Sequence, residues 1–261
     1  MPGARIEIDR VNKSFDGGQS FAVRDARVTV EPGTFVALVG GSGSGKTTLL
    51  KCINRLLEPD SGEVRIEGEP VAGADPTALR RRIGYVFQDI GLFPHMSVAE
   101  NIGITPQLLG WPRQEIVARS TELLDLVGLP RSYGARFPAA LSGGERQRVG
   151  VARAIAARPK IVLMDEPFGA LDPITRDGLG SAYRALHEQL GLTSIMVTHD
   201  VQEAVLLADE IVVMKQGRVL AQDVPRALLL DETQPDVRDL MAMPKRQAER
   251  IRAAMGEGDP P

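Results

Sequence analysis

The residues 40–47, GGSGSGKT, constrain the fold of this chain more than any other feature. They fit the pattern G-x-x-x-x-G-K-[ST], follow the apolar run Phe35–Val39 and open a helical pattern. In such a loop, glycines let backbone amides surround phosphate, and the helix N-terminus adds about half a positive charge. A simple glycine-rich turn would explain the glycines but not the Lys-Thr pair. The candidate phosphate-binding residues are Gly40, Gly41, Ser42, Gly43, Ser44, Gly45, Lys46, Thr47 and Thr48.

Three further patterns indicate the fold class. Residues 35–39, 161–164 and 195–197 are apolar without alternation, as expected for strands that helices cover on both faces. In the first thirty residues, apolar side chains recur among polar ones, which predicts antiparallel strands; they are Ile6, Ile8, Val23, Ala26, Val28 and Val30. We therefore expect an α/β fold with a parallel sheet in its core, an N-terminal antiparallel β layer and an inserted α-helical subdomain.

The inserted segment shows a helical period, since Ile116, Leu123, Leu124 and Val127 recur on one face. We expect residues 1–91 and 159–240 to form the nucleotide-binding core. Residues 92–158 would form the helical subdomain, and residues 241–261 a polar C-terminal tail.

The composition excludes several classes of protein. Lys and Arg number 31 against 34 Asp and Glu, so the net charge of −3 gives no bulk attraction to nucleic acid. The apolar runs are far shorter than the ~18 residues that span a bilayer. Glu7 and Asp9 stand where a secretory signal needs apolar residues, and the single Cys52 cannot form an internal disulfide. We therefore expect a reducing cytoplasmic compartment.

A pair of carboxylates follows the apolar run 161–164. Asp165 and Glu166 need a ligand or partner there, because an isolated buried carboxylate costs several kcal/mol. Asp165 is placed to hold Mg²⁺ through water, and Glu166 to orient and deprotonate an attacking water. The alternative is an Asp-Glu pair exposed in a loop.

A second glycine-rich helix start occurs at Ser142, Gly143, Gly144 and Glu145. S-x-x-E is a capping box, which needs no function to explain it. Two adjacent glycines are a poor way to begin a helix, however, unless another group approaches the backbone closely. The chain thus contains two helix starts that could bind phosphate.

Three single residues have structural explanations as well as functional ones. His199 follows a buried strand and precedes a second capping-box pattern, so it could simply be packed. Asp172 before Pro173 is a sufficient N-cap. Gln88 could be an ordinary strand-end amide.

Two short segments are also open to a structural interpretation. The apolar residues 90–96 are either subdomain core or an exposed docking patch. Residues 80–82, three arginines, are most simply solvated.

With these motifs in order, the chain resembles ATP-binding cassette (ABC) ATPases over residues 6–240. GGSGSGKT matches the family's Walker A motif, LSGGERQR at 141–148 its signature, and IVLMDE at 161–166 its Walker B motif. The resemblance implies a P-loop NTPase core and hydrolysis of ATP with Mg²⁺. By the same resemblance, Phe15 stacks on adenine and Asp172 belongs to the D-loop. The implied catalytic residues are Glu166, His199, Lys46 and Gln88, and the implied metal-site residues are Thr47, Gln88 and Asp165.

In such proteins two cassettes pair head to tail. Ser142, Gly143 and Gly144 of one cassette then close over the γ-phosphate bound at Lys46 of the other, which would explain the second anion-binding helix start. The resemblance therefore implies that this chain acts as a dimer, expected to be a homodimer.

Within the family, the stretches KCINRLLEPDSG, LRRRIGYVFQDIGLFPHMSV and DEPFGALDPITRD look like importer ATPases for glycine betaine, choline or carnitine. Integral-membrane permease subunits and a separate solute-binding protein are then the expected partners, with the chain peripheral to the cytoplasmic face of the cell membrane. Many such relatives append a pair of regulatory CBS domains. This sequence ends at Pro261 after a short polar tail, so regulation through that module is not expected.

Three other functions fit less well. An importer ATPase for another small solute, such as an amino acid, polyamine or sulfonate, would share the same motifs. A soluble cassette ATPase that acts on DNA would carry long heptad insertions, and none is present in the sequence. A binding module without hydrolysis is disfavoured by Glu166, because degenerate cassettes commonly lose that base.

Overall fold

The computed structural model describes residues 3–169, 171–231, 233–246 and 249. The strands are β1 (Ile6–Lys13), β2 (Val23–Val30), β3 (Phe35–Val39), β4 (Ser61–Ile66), β5 (Glu69–Pro70), β6 (Ile83–Val86), β7 (Ile161–Asp165), β8 (Thr193–Val197), β9 (Glu210–Lys215) and β10 (Arg218–Asp223). The helices are α1 (Lys46–Ile53), α2 (Pro76–Arg81), α3 (Val98–Leu108), α4 (Arg113–Leu126), α5 (Gly143–Ile155), α6 (Pro173–Leu190), α7 (Val201–Leu207), α8 (Pro225–Leu229) and α9 (Pro235–Met241).

The central sheet has the strand order β10-β9-β3-β8-β7-β6. All neighbouring strands from β9 to β6 pair in parallel, and β10 pairs antiparallel with β9. The loops that follow β3, β8, β7 and β6 therefore leave the same edge of the sheet. Open parallel sheets bind ligands at the carboxyl ends of their strands, so this order gathers the predicted site residues at one edge.

Two hydrophobic cores explain why the central strands do not alternate. On β3, Phe35, Ala37 and Val39 pack into a core with α3 to α7, whereas Val36 and Leu38 face α1 and the N-terminal strands. Side chains of a strand point alternately to its two faces. Both faces of the sheet are thus covered by apolar layers, as the sequence predicted.

The N-terminal layer is a four-stranded antiparallel sheet with the order β2-β1-β4-β5. Ile6 lies opposite both Val30 and Ile66, and its side chain is fully buried. The alternating burial of β2 matches its alternating sequence. The structure therefore confirms the predicted α/β architecture with an antiparallel β layer.

Helices α3, α4 and α5 lie between β6 and β7 in the sequence and pack through Ile102, Leu123, Leu124 and Val149. Their treatment as a separate subdomain, residues 92–158, stays a prediction. The predicted tail begins at Met241, which is buried at the end of α9. Residues 247, 248 and 250–261 of that tail lie outside the described residues. Within the described part of the chain, no helix is both long and apolar enough to cross a bilayer.

Candidate active site

The loop between β3 and α1 depends on two glycine positions. Gly40 and Gly45 have φ angles of 152° and 98°, in the region that favours glycine. A Cβ on Gly40 would overlap the Met214 carbonyl oxygen, and one on Gly45 would overlap the carbonyl oxygen of Ala22. The loop residues between them, 41–43, are exposed to solvent. The loop is therefore fixed at both ends and open in the middle.

Lys46 is buried at the first position of α1. Its ammonium group donates hydrogen bonds to the carbonyl oxygens of Gly40 (2.8 Å) and Gly41 (3.0 Å) and contacts Ser44 Oγ at 3.3 Å. Burial lowers the pKa of Lys46, and the negative charges of Glu166 and Asp165 partly oppose that shift. In the described residues no side chain caps α1, so its first amides stay available to an anion.

Thr47 and Asp165 join the ends of two separate elements. Thr47 Oγ1 donates a hydrogen bond of 2.7 Å to Asp165 Oδ1, and the Asp165 side chain is buried. A hydroxyl and a carboxylate are hard oxygen donors of the kind that Mg²⁺ uses together with substrate phosphates. No group of three or more His, Cys, Asp or Glu residues that could hold a metal occurs in the described chain. The Thr47–Asp165 oxygen pair fits Mg²⁺.

Glu166 and His199 form a pair at the ends of β7 and β8. Glu166 Oε2 lies 3.3 Å from His199 Nδ1. The Glu166 backbone has a φ of 45°, and its amide donates a 3.0 Å hydrogen bond to the Val197 carbonyl. A left-handed conformation is unusual for a residue with a side chain. The hydrogen bond from the Glu166 amide connects the turn after β7 to the end of β8. A carboxylate and an imidazole thus meet next to the Thr47–Asp165 pair.

The second glycine-rich helix start has a complete capping box. Ser142 Oγ accepts from the Glu145 amide at 3.2 Å, and Glu145 Oε2 accepts from the Ser142 amide at 2.7 Å. A Cβ on Gly144 would press against Thr175, so packing accounts for that glycine. A Cβ on Gly143 would meet nothing within 4 Å. Only Gly143 therefore keeps an open face that packing does not explain.

One copy of the chain does not join the two glycine-rich sites. In the described residues, no hydrogen bond connects residues 142–144 with the phosphate loop. Helix α5 packs on β6, where Gly84 faces the Ala154 carbonyl. Strand β6 lies three places from β3 in the sheet, which corresponds to roughly 14 Å.

The remaining predicted residues, Asp172, Gln88 and Phe15, lie on three separate segments of the chain. Asp172 caps α6, accepting from the Thr175 amide at 3.0 Å. Gln88 is exposed just beyond β6, next to the end of β7. The Phe15 side chain is 66% exposed, and its ring centroid lies 5.8 Å from Lys13 Nζ. Their roles toward a nucleotide stay predictions.

The loop 90–96 combines core and surface. Leu92 packs against the main core, whereas the Phe93 side chain is 42% exposed and lines a cavity of about 490 Å³ with Phe87 and Leu108. Buried Asn101 fixes this loop: its Oδ1 accepts from the Phe93 amide at 2.8 Å, and its Nδ2 donates to the carbonyls of Phe93, Met96 and Ser97. The two alternatives for residues 90–96, core or exposed surface, therefore apply to different residues, since Leu92 belongs to the core and Phe93 is partly exposed.

The capping pattern after His199 differs from the expectation. Asp200 Oδ1 caps α7 by accepting from the amides of Gln202 and Glu203, but the Asp200 amide donates to Thr198 Oγ1 at 3.0 Å. In a capping box the Glu203 carboxylate would accept from the Asp200 amide. Here the hydroxyl of Thr198, the residue before His199, accepts from that amide instead. Burial raises the pKa of Glu203.

Sequence reasoning missed Arg176. This residue lies in the stretch DEPFGALDPITRD, where it was given no role of its own, yet its guanidinium group contacts Asp200 Oδ2 at 3.3 Å and the Leu171 carbonyl at 3.2 Å. The available signal was its position one helical turn after the N-cap Asp172, which places it beside the start of α6.

Comparison with known proteins identifies the family of this chain. The family model described as ABC transporter matches residues 23–169. The chain is 48% identical over 86% of its length to the choline transport ATP-binding protein OpuBA of Bacillus subtilis, and 50% identical over 86% to the glycine betaine uptake system ATP-binding protein YehX of Escherichia coli. It is also 49% identical over 82% to the sulfate/thiosulfate import ATP-binding protein CysA of Gloeobacter violaceus.

The matched regions differ in their share of each relative. The chain spans 58% of OpuBA, 61% of CysA and 72% of YehX. Among solved structures, the dimeric bacterial ABC transporter cassette MJ0796 superposes with a TM-score of 0.76 at 33% identity, over 84% of this chain and 98% of that one. The family model covers more than half of the sequence, and this chain belongs to the ABC transporter family of ATP-binding cassettes.

Proposed function

We propose that the chain hydrolyses ATP and thereby powers uptake of a small solute, as the ATPase subunit of an importer. The observation that carries this proposal is the Glu166–His199 pair, 3.3 Å apart, beside the Thr47–Asp165 pair and the phosphate loop. A base, an orienting group, a cation-binding pair and an anion-binding loop thus occupy one sheet edge, which is the set that phosphoryl transfer needs.

Each residue has a separate task in this mechanism. Lys46 and the open amides of the loop bind the β- and γ-phosphates of ATP. The Glu166 carboxylate accepts a proton from the attacking water, and His199 Nδ1 holds that carboxylate in position. Thr47 and Asp165 would hold Mg²⁺, which neutralises phosphate charge when bound.

The proposal includes a second copy of the chain. The open face over Gly143 is separated from Lys46 in one molecule, so a head-to-tail partner is needed to bring them together. The dimeric cassette MJ0796 supports this arrangement. Ser142, Gly143 and Gly144 of one copy then close over the γ-phosphate held by the other.

The transported solute is proposed to be a quaternary amine such as glycine betaine, choline or carnitine. The names of OpuBA and YehX support this class, whereas CysA, named for sulfate and thiosulfate, is nearly as similar. A cassette so alike in both systems cannot itself select the solute. We therefore assign selection to a separate solute-binding protein and to permease subunits at the cytoplasmic face of the membrane.

Replacement of Glu166 by Gln tests hydrolysis. The amide keeps the shape of the side chain but cannot accept the proton, so turnover should fall by about 10² to 10⁴. ATP binding should persist, and the variant should accumulate as a dimer on size exclusion. Glu188→Gln, an exposed change on α6, is the matched control. Wild-type turnover in Glu166→Gln would remove Glu166 from its role.

Replacement of Phe93 by Ala tests whether the loop 90–96 contacts a permease. Because Phe93 is partly exposed, the melting temperature should change far less than for a buried Phe, whose loss costs ~3–5 kcal/mol. Basal ATPase should stay near normal while uptake of labelled glycine betaine by cells falls. Leu230→Ala, a change at a more exposed residue that does not line the cavity, should affect neither. A large loss of thermal stability would assign Phe93 to the core instead.

A further inference from the structure

Two loops that carry site residues are joined by one arginine of α6. Arg176 Nη1 lies 3.3 Å from Asp200 Oδ2, and Nη2 donates to the carbonyls of Leu171 (3.2 Å) and Gly169 (3.4 Å). The first partner follows β8, and the other two follow β7. A single planar guanidinium therefore spans both loops. The ammonium group of a lysine, which is a point charge on a flexible chain, could not bind the same acceptors together.

Each partner of Arg176 is next to a residue of the proposed mechanism. Asp200 follows His199 directly, and its other oxygen caps α7. A Cβ on Gly169 would lie 3.6 Å from Glu166 Oε2, and the Gly169 amide donates to the Glu166 carbonyl at 3.3 Å. Arg176 thus holds the peptide beside the Glu166 carboxylate and also the residue after His199.

The contacts of Arg176 are costly for a purely structural residue. Its side chain is only 28% exposed, and its buried Nε has no hydrogen-bond partner among the described residues. An unsatisfied buried donor lowers the stability of the folded protein. Replacing a partly buried ion pair by apolar groups is often neutral for stability, so stability alone is a weak reason for this arrangement.

We propose that Arg176 is a positioning residue for ATP hydrolysis, which sets the separation of Glu166 and His199 by holding both of their loops. This inference rests on the proposed function. It assigns to Arg176 no contact with ATP: it acts through Asp200 and the Gly169 and Leu171 carbonyls.

Arg176→Met removes the bridge and keeps much of the apolar stem. Because a misplacement of about 1 Å can cost 10²-fold in rate, kcat should fall by roughly 10- to 100-fold. The Kd for ATP should stay within about twofold of the wild type, since the phosphate loop is untouched. Arg176→Lys should recover little of the rate, because an ammonium cannot span the same acceptors.

Arg184 offers a matched control on the same helix. Its guanidinium donates to the Leu207 carbonyl at 3.0 Å and to Asp209 at 2.7 Å, so it also bridges α6 to a neighbouring loop, but away from the site. Arg184→Met should lower the melting temperature and leave kcat of the folded protein unchanged. If Arg176→Met behaves in the same way, Arg176 is structural and the proposal is wrong.

Two further measurements separate this inference from the proposed function. In a double-mutant cycle with His199→Ala, Arg176→Met should add little to the loss of rate, and full additivity would overturn the proposal. Hydrogen exchange at residues 166–172 and 198–201 should speed up in Arg176→Met but not in Arg184→Met. Unchanged exchange would overturn it even if the wild-type protein proved unable to hydrolyse ATP, which would refute the proposed function alone.

Discussion

Helices α1 and α5 both begin in glycine-rich sequence, but the amides of their first turns have different partners. At α1, Gly45 takes a left-handed conformation, and no described side chain accepts from the first amides. At α5, Ser142 and Glu145 accept from each other's amides in a complete capping box. The α1 start therefore keeps its donors for a ligand, and the α5 start has already satisfied two of its own.

This difference gives the two helix starts different expected tasks, since α1 would bind the phosphates of ATP and α5 would close over ATP bound by a second copy. Lys46 follows the loop before α1, and the Thr47–Asp165 pair lies next to it in the same chain, so under the proposed function this site needs no second molecule to hold polyphosphate. The α5 start has an internal cap and only the open face at Gly143 to offer. The first site should therefore work in a monomer and the second only across a dimer, and the following variants test that division.

Gly45→Ala should have the largest effect. A residue with a Cβ pays roughly 1–2 kcal/mol for the left-handed conformation, and the added atom would overlap the Ala22 carbonyl. The loop should lose its shape, and ATP binding by the isolated chain, measured by calorimetry, should disappear. Gly178→Ala on α6, where a Cβ meets nothing within 4 Å, should bind ATP normally. Intact binding by Gly45→Ala would mean that the loop tolerates another shape.

Ser142→Asp and Ser142→Asn form the next test. Both residues cap helices as well as Ser does, so neither should lower the melting temperature much. Only Asp places a negative charge against the partner's ATP, and like charges in an interface cost several kcal/mol. ATPase activity should thus fall by at least roughly 100-fold in the Asp variant and far less in the Asn variant. Equal activities would leave capping as the whole role of Ser142.

Gly143→Ala should have a moderate effect. The added methyl group meets no atom of its own chain, so folding and ATP binding by the monomer should be unchanged. If a partner closes over this face, steady-state hydrolysis should fall roughly tenfold, or about 1.4 kcal/mol. Hydrolysis at the wild-type rate would show that no group approaches Gly143 during turnover.

Glu145→Gln should give the smallest effect, and it depends on pH. The Ser142 amide that binds its carboxylate lowers the pKa of Glu145. A lowered carboxyl pKa stabilises the fold above the ordinary pKa, and this gain is lost as pH falls through the folded value. The variant should thus melt slightly below the wild type at pH 7, with the gap closing in acid. A gap independent of pH would exclude a role for the charge.

The sequence predicted the features that depend on local patterns and on the parallel order of the strands. It did not predict side-chain contacts that depend on how separate helices pack. Because the central strands are parallel, the residues that follow them had to meet at one edge, so Glu166 and His199 could be expected near Lys46. Arg80 is exposed, as predicted, but its guanidinium also donates to the carbonyls of Asn54 and Arg55 at the end of α1, and the sequence did not predict these bonds. Such a contact depends on how α2 packs against α1, and no motif or period encodes that packing.

Asn101 gives the Phe93 loop mechanical stiffness. Its four hydrogen bonds hold the loop against α3. Arg153 of α5 donates hydrogen bonds to the Gly91 and Ile90 carbonyls of the same loop. Helices α3 and α5 pack together, and close-packed interiors are hard to compress. The Phe93 loop is therefore held at two places by helices that pack on each other. One of them, α5, begins just after Ser142, so a single helix connects the Phe93 loop with the second glycine-rich helix start.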